Sequence, residues 1–331
     1  MSDPNNDFQT PPPPPASETP ARQPAHMRPV AIILLVVGIG TILGGIANLI
    51  PGGVLTGAAL AVLGILLFGL SFVRLPQVAP DAPAPLSSFE RIAGIFYEPS
   101  RVFLNLRAYP RWLVALLIIA LVNVIYVTVF TQRLTSERIV NYVTEKMAET
   151  PFISPEAVER AKEQQLEEAK SPVRRAGTAL KSIVGAFFVM SFVAALYLLG
   201  VLAFGGRINF WQALAVAVHA ALPVVVIQKA LSLVILFVKS PEDIHPLLGQ
   251  ESLVQDNLGV LFSPKDHPVL FVAATAIGIL SFYKLWLTAT ALRNGCQKVS
   301  SSVGWGVAVS VWVLALLLSM AIAAIFPSFI S

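Results

Sequence analysis

Long apolar runs without a single charged residue constrain the fold of this chain more than any other feature of its sequence. The run from Trp112 to Phe130 is a clear example. As a helix, about 20 apolar residues at a rise of ~1.5 Å each cross the hydrocarbon core of a bilayer. Of the whole chain, 55% is hydrophobic and 13% is charged, against roughly 25% charged in soluble domains. Because the charge is absent from whole segments, the sequence predicts an all-α integral membrane protein.

Seven long apolar runs are predicted to span the membrane, and two of them contain a single lysine. They cover residues 30–50, 54–73, 112–130, 183–204, 212–238, 269–292 and 305–326. A tight turn at residues 51–53 joins the first two runs into a two-helix hairpin. Each helix of the hairpin carries a Gly-x-x-x-Gly pair, a pattern that fits close packing of two membrane helices. These pairs are Gly40 with Gly44 and Gly53 with Gly57.

Changes in composition divide the chain into four predicted parts. Residues 1–28 are expected to be disordered, since the prolines at residues 11–15 favour extended polyproline II over a helix. Residues 29–74 contain the hairpin, and residues 75–88 form a stiff Pro/Ala linker. Residues 89–331 form the main membrane domain, which contains the remaining five spans.

Two short amphipathic helices are predicted between the linker and the third span, over residues 89–107. Ser87 or Ser88 can cap the first helix, Pro99 ends it, and Ser100 begins the second. Apolar residues at i, i+3, i+4 and i+7 share one face of the first helix: Phe89, Ile92, Ala93 and Phe96. Both helices are expected to lie in the membrane interface and not to cross it. The predicted contacts to lipid headgroups are Arg101, Arg107 and Arg111.

A polar insert, residues 131–182, separates the third span from the fourth. Apolar residues at four-residue spacing predict an amphipathic helix over residues 136–149. Ser154, Pro155 and Glu156 then supply an N-cap, a proline at the first helical position and an acid in the first turn. The helix that they begin is polar on nearly every face, which predicts a solvated helix over residues 156–170.

The distribution of Lys and Arg near the span ends predicts a cytoplasmic N-terminus and an external C-terminus. In this orientation the inner segments hold Arg22, Arg28, Arg74, Arg91, Arg101, Arg107, Arg111, Arg207, Arg293 and Lys298. The outer loop 239–268 holds only Lys239 and Lys265. The insert 131–182 opposes this assignment with nine basic residues, but it also has eight acidic ones, and long loops translocate with less regard to charge. Trp112 is expected at the headgroup level as an aromatic-belt residue.

Polar side chains inside the predicted spans are few, and each is a candidate for function. No span contains Asp or Glu, which argues against proton- or sodium-coupled transport. His219 and Lys284 lie on antiparallel spans at similar depths, ~10–12 Å from the cytoplasmic end, and they predict an intramembrane polar pocket. The alternative is that His219 bonds a backbone carbonyl while Lys284 and Lys229 each reach the nearer interface.

Signatures of enzymes and of metal sites are missing from the sequence. It contains no Walker A loop, no G-x-S-x-G motif and no HExxH motif. Cys296 is the single cysteine, which excludes an intramolecular disulfide. Four residues between the fifth and sixth spans could imitate a metal cluster, although nearby prolines favour ordinary turns: Asp243, His245, Asp266 and His267. We therefore expect no catalytic residue, no cofactor, no metal and no nucleic-acid partner.

Short motifs in the main membrane domain follow one another in a specific order. They are Ile92-x-Gly94-Ile95-Phe96-Tyr97-Glu98-Pro99-Ser100-x-x-Phe103, Tyr109-Pro110-Arg111-Trp112, Gly205-Gly206 with Phe210 and Pro223, and Phe282-Tyr283-Lys284-Leu285-Trp286 with Gly295 and Lys298-Val299-Ser300. In this order and spacing the motifs resemble the Yip family of Rab-GTPase-interacting membrane proteins, in particular its bacterial branch. The resemblance covers residues 87–331 and leaves out the hairpin and the Pro-rich tail.

The resemblance implies a Yip-like bundle of five spans with a cytosolic N-terminus, preceded in this chain by the two-helix hairpin. Eukaryotic members are associated with Rab GTPases, vesicle traffic and membrane shaping, and the family brings no catalytic residues. Because bacteria lack the Rab system, a Rab GTPase is not an expected partner of a bacterial member.

The expected function is that of a non-enzymatic membrane scaffold, which contacts anionic lipids and other membrane proteins and organises partners or bilayer shape. The expected location is a bacterial cytoplasmic membrane, with a eukaryotic ER or Golgi membrane as the alternative. The alternative function is that of a small-molecule or lipid transporter with its pocket at His219 and Lys284.

Overall fold

The structure is a computed structural model of the chain, and it describes residues 27–47, 49–50, 53–72, 78, 82–149, 153–170 and 172–327. Nearly all of the predicted Pro-rich tail and six of the fourteen residues of the predicted linker lie outside the described residues. The same is true of Arg22 and Arg74, on which part of the orientation prediction rests, and of residues 51 and 52 in the hairpin turn.

All regular secondary structure in the described residues is helical, which confirms the predicted all-α class. The α-helices are α1 (Met27–Ile46), α2 (Gly53–Leu70), α3 (Ser88–Tyr97), α4 (Pro99–Ala108), α5 (Leu113–Leu134), α6 (Ser136–Ala148), α7 (Pro155–Lys170), α8 (Pro172–Ala203), α9 (Phe210–Val238), α10 (Leu248–Glu251), α11 (Pro268–Thr275), α12 (Ile279–Gly295) and α13 (Ser301–Ile325). Two isolated antiparallel bridges tie loops together, Arg207 to Gln297 and Asn257 to Gly278.

Six helices of the described residues are long and apolar enough to cross a membrane, and the chain is an integral membrane protein on this ground. They are α1, α2, α5, α8, α9 and α13. The fourth predicted span belongs to a helix that begins earlier than the span, since α8 starts at Pro172 in the polar insert. The part of α8 that is apolar enough to cross a membrane is Gly177–Ala203. The sixth predicted span, residues 269–292, is not one continuous helix.

The segment predicted as that span is divided into α11 and α12 at residues 276–278, where the backbone becomes extended at Gly278. The loop at Asp256–Leu258 pairs with this break: Leu258 N donates to Ile277 O at 3.1 Å, and Ile279 N donates to Asp256 O at 3.3 Å. The Asp256 carboxylate accepts a hydrogen bond from Leu280 N at 2.7 Å. The folded-back loop therefore supplies hydrogen-bond partners for backbone groups at the break, which lipid could not supply. Both α11 and α12 pack along α13.

Helix α9 is the centre of the bundle, since every residue from Trp211 to Val224 is buried. The helices α5, α8 and α12 pack around it. Trp112, directly before α5, stacks on Trp211 with ring centroids 6.3 Å apart and also contacts Phe187. The predicted role of Trp112 as an exposed belt residue is therefore wrong, because the indole is buried inside the protein.

Glycines bring α1 and α2 of the hairpin into close contact. A Cβ atom on Gly57 would lie 2.5 Å from Gly38 O, and a Cβ on Gly53 would lie 2.7 Å from Thr41 O. A Cβ atom on Gly45 would lie 2.4 Å from Val54 N. Gly40, in contrast, has no atom within 4 Å of its added Cβ. The predicted close approach is thus present, but the motif glycine Gly40 does not contribute to it.

Replacing Gly57 by Ala forces the two hairpin helices apart, because the new methyl group meets backbone atoms that cannot rotate away. We expect a destabilisation of about 1–3 kcal/mol, as for other overpacked sites. Thermal unfolding of the purified protein in detergent measures the change. The matched control is Gly40→Ala, which should leave the unfolding temperature unchanged or raise it slightly; an equal loss in both variants would contradict the packing described.

Candidate functional site

A capping box begins α3. Ser87 Oγ accepts a hydrogen bond from Glu90 N at 3.1 Å, and a Glu90 carboxylate oxygen accepts one from Ser87 N at 2.7 Å. These hydrogen bonds lower the pKa of the Glu90 carboxyl below its usual value. The second helix, α4, has Pro99 at its first position. The predicted cap at Ser87 is confirmed, and the second helix begins at Pro99, one residue before its predicted start at Ser100.

The two faces of α3 differ in their surroundings. The protein covers the predicted apolar face only in part: Phe89 is 80% exposed and Phe96 41% exposed, whereas Ile92 is half-buried and packs against the core. The opposite face, with Gly94 and Ile95, is buried. An apolar face that the protein does not cover, on a helix too short to span, is typical of a helix that lies in the membrane interface.

Helix α4 has the opposite arrangement, because its apolar residues Val102, Phe103 and Leu106 are buried in the protein core. Its packing partners include α12 and α9. The pair α3–α4 is therefore a layer in which α4 is held by the bundle and α3 presents apolar side chains outward. We call these two helices the α3–α4 layer.

Two amide side chains fix the α3–α4 layer to its neighbours. Asn105 is buried; its Nδ2 donates to Ala84 O at 2.8 Å, and its Oδ1 accepts from Leu86 N at 3.3 Å. Gln212 at the start of α9 donates to Arg107 O at 2.6 Å. Sequence reasoning missed both residues. For Asn105 the available signal was a polar residue next to Leu106 and three positions after Val102, on the face that packs inward.

The three arginines predicted to contact headgroups all belong to this region of the structure. Arg101 is exposed and pairs with Glu98 at 3.0 Å; an exposed pair of this kind contributes little to stability. Arg107 is half-buried at the end of α4, and Arg111 is exposed in the short connection to α5. The structure thus groups the three residues around α4, and their contact with lipid stays a prediction.

A fourth arginine, Arg91 of α3, lies on the buried face of the helix and is 2% exposed. Its Nε donates to Ser87 O at 3.2 Å. The nitrogens Nη1 and Nη2 are buried without a hydrogen-bond partner in the described residues. Sequence reasoning counted Arg91 only as a basic flank.

His219 and Lys284, the predicted intramembrane pair, differ in burial. His219 is 1% exposed, and its Nδ1 lies 2.9 Å from Ala215 O one turn earlier in α9. The carbonyl bond that we gave as the alternative for His219 is therefore present. The side chain of Lys284 on α12 is exposed from the protein. A shared polar pocket at these two residues stays a prediction.

Lys229 has partners that the sequence did not reveal. Its Nζ donates to Gln250 O at 3.3 Å and to Glu251 O, at the C-terminal end of α10, and lies 4.4 Å from the centre of the Tyr126 ring. Tyr126 Oη in turn donates to Gly249 O. A cation at the carbonyl end of a helix is favourable. The loop after α9 is thereby folded back against α5 and α9.

Beside this loop, a cleft is lined by α6 and by the residues that follow α9. His245 Nδ1 accepts hydrogen bonds from Leu247 N at 3.2 Å and Leu248 N at 3.1 Å. The neutral ring therefore carries its proton on Nε2, which lies 2.9 Å from Tyr142 Oη. Burial, and secondly the charge of Lys146, lower the pKa of His245. Among the described residues, no group of three His, Cys, Asp or Glu side chains could hold a metal ion.

Acid should destabilise this cleft. Because the folded-state pKa of His245 is below its unfolded value of 6.5, the unfolded chain binds more protons and stability falls as the pH drops below about 6.5. We expect the unfolding temperature in detergent to fall between about pH 7.5 and pH 5, and His245→Gln to remove part of this dependence. His267→Gln is the control and should keep the wild-type pH profile. Identical profiles in the wild type and His245→Gln would contradict the assignment.

These features together define a polytopic α-helical membrane protein with an amphipathic layer beside its bundle. A family model described as the Yip1 domain matches residues 93–323, which is more than half of the chain. The chain belongs to the Yip family, as its motifs predicted, and the family is not known for catalysis. The hairpin α1–α2 precedes the matched residues. No curated protein and no solved structure matches the chain.

Proposed function

We propose that this protein is a non-enzymatic membrane scaffold of the Yip type, which shapes the bilayer and organises partners around it. The observation that carries the proposal is the α3–α4 layer, in which α3 leaves Phe89 and Phe96 uncovered while α4 is anchored in the core. An amphipathic helix that enters only one leaflet acts as a wedge, because it expands that leaflet relative to the other. Because α4 is packed in the core, the wedge is held at a fixed position relative to the bundle.

The basic residues fit this role if the layer faces the cytoplasm. Arg101, Arg107 and Arg111 would contact anionic headgroups, each contributing about 1 kcal/mol near a negatively charged surface. In this arrangement the N-terminus is inside and the C-terminus outside. The sixth of the seven crossings is then made by α11 and α12 together, both of which pack along α13. The insert with α6 and α7 would lie on the external side of the membrane. The membrane itself would be a bacterial cytoplasmic membrane.

Removing the apolar wedge should reduce membrane bending without unfolding the protein. We expect Phe89→Ser with Phe96→Ser to leave the unfolding temperature in detergent nearly unchanged, because neither ring is buried in the protein. Vesicles reconstituted with the double variant should be larger and less tubular than wild-type vesicles at the same protein-to-lipid ratio, as measured by electron cryomicroscopy. Leu104→Ser, an exposed apolar residue of α4, is the control; vesicle shapes that do not depend on Phe89 and Phe96 would refute the wedge.

A transporter is the second candidate, and the divided segment α11–α12 is the observation that favours it. Transporters often place substrates at helices interrupted inside the membrane, and Lys284 lies six residues after the break at Gly278, on a helix that packs against α9 with its buried His219. Solute flux in proteoliposomes that is lost in both His219→Ala and Lys284→Ala would favour transport over the scaffold. We expect no such flux; the control is His267→Ala, in a loop of the same chain.

A further inference from the structure

A cavity of about 460 Å³ lies between α5 and α8, at the end of each helix that adjoins the polar insert. Helix α5 lines it within residues 120–132, and α8 lines it within residues 178–186. Ser136, the first residue of α6, and Ala169, near the end of α7, also belong to the lining. Sites for small molecules have volumes of roughly 300–1,000 Å³, so this space, which we call the α5–α8 cavity, is large enough for a ligand.

The α5–α8 cavity is open at the surface of the protein, because several of its lining side chains are exposed, among them Thr128 and Ser182. Both helices are apolar and long enough to span a membrane, so the opening faces the bilayer. Gln132 and Thr178, which both line the cavity, lie within two residues of an end of these spanning segments. From there the cavity follows α5 for ~18 Å toward the middle of the span, at a rise of ~1.5 Å per residue. An elongated molecule can therefore enter it from the lipid.

The lining of the α5–α8 cavity is uncharged throughout the residues that the structure describes. About half of its side chains carry a hydroxyl or an amide group, and the others are Ala or Val. A charged ligand would meet no opposite charge on these side chains, and an unpaired charge within a membrane is costly. A wholly apolar ligand would leave the hydroxyl and amide groups without partners. The lining therefore favours a neutral amphiphile.

Three polar side chains of the cavity have oxygens that can accept hydrogen bonds. Each donates a proton to the carbonyl oxygen four residues earlier in its own helix: Thr128 at 2.7 Å, Ser182 at 3.0 Å and Asn123 at 2.9 Å. A hydroxyl has a single proton to donate, so Thr128 and Ser182 can offer a ligand only the lone pairs of their oxygens. A lipid chain cannot donate to these oxygens, whereas an O–H group can. The ligand should therefore carry hydroxyl groups.

We propose that the α5–α8 cavity binds a neutral amphiphile from the bilayer, with one acyl chain and with hydroxyl groups that donate to Thr128 and Ser182. A monoacylglycerol has this chemistry. The volume of the cavity is near the lower end of the range for ligand sites, which favours one chain over two. Neither His219 nor Lys284 is among the lining residues, so the site is separate from the polar pocket predicted at those two positions. It does not rest on the wedge at α3.

Photolabelling of the full-length protein in phosphatidylcholine nanodiscs tests the site, because phosphatidylcholine has no O–H donor. The label is a monoacylglycerol with a diazirine in its acyl chain, and mass spectrometry identifies the labelled peptides. We expect labelling of α5 and α8 along the cavity, and displacement of the label by unlabelled monoolein. The dimethyl ether of monoolein, which keeps the chain but has no O–H group, should need at least a tenfold higher concentration for the same displacement.

Variants of the lining separate a specific site from general contact with lipid. Thr128→Val with Ser182→Ala removes two acceptors with little change of shape, and Ser182→Phe fills the cavity. We expect at least tenfold less labelling of the cavity peptides in each. The matched controls are Thr41→Val with Ser319→Ala, and Ser319→Phe. Thr41 and Ser319 make the same carbonyl hydrogen bond in other spanning helices, and these controls should label like the wild type.

Three results would overturn the proposal. Equal displacement by monoolein and by its dimethyl ether would refute the hydroxyl contacts, and stronger displacement by an anionic lysophosphatidylglycerol would refute the neutral ligand. Undiminished labelling in Ser182→Phe would show ordinary lipid contact and no site. Thr128 and Ser182 are exposed, so we expect the variants to fold; if Ser182→Phe does not, the double variant gives the same decision. Since this experiment does not measure vesicle shape, its failure is distinct from failure of the wedge.

Discussion

The structure depends on one constraint: inside hydrocarbon, each backbone N–H and C=O must find its partner within the protein. Continuous helices meet this requirement over most of the chain, and the exceptions meet it by other means. Where the helix stops between α11 and α12, the loop at Asp256–Leu258 supplies both backbone partners and a carboxylate. Where α10 ends, the ammonium of Lys229 donates hydrogen bonds to the carbonyls of Gln250 and Glu251. Irregular backbone is thus confined to places where a polar partner has been folded in.

The same constraint explains why the α3–α4 layer lies beside the bundle and does not cross it. Its helices are too short to span, and the capping box at Ser87 satisfies the first amides of α3 where water or headgroups are present. Asn105 and Gln212 fix the layer to the linker and to α9. One side of the layer then packs on protein while Phe89 and Phe96 stay uncovered by it, so a single segment joins the bundle core to an exposed apolar surface.

The sequence predicted the limits of helices that local capping determines. It did not predict which face of an apolar helix contacts its neighbour. Ser87 and Pro99 set the limits of α3 and α4 because capping and the missing proline N–H act within a few residues. A helix that is apolar on all sides, however, carries no polarity signal for which face meets its neighbour. Hence Gly40 was expected in the hairpin contact and Gly38 occupies it. Trp112 was expected at the lipid surface for the same reason, and Trp211 covers it.

By itself the sequence determined an all-α membrane protein, its amphipathic layer and its family, because these follow from uncharged length, caps and ordered motifs. Only the tertiary structure decided that residues 276–278 leave the helix, because the pairing loop lies some twenty residues away in the chain. Only the tertiary structure turned Arg91 inward and gave Lys229 its carbonyl partners. The cost of burying a charge depends on what surrounds it in space, and the order of residues along the chain does not contain that information.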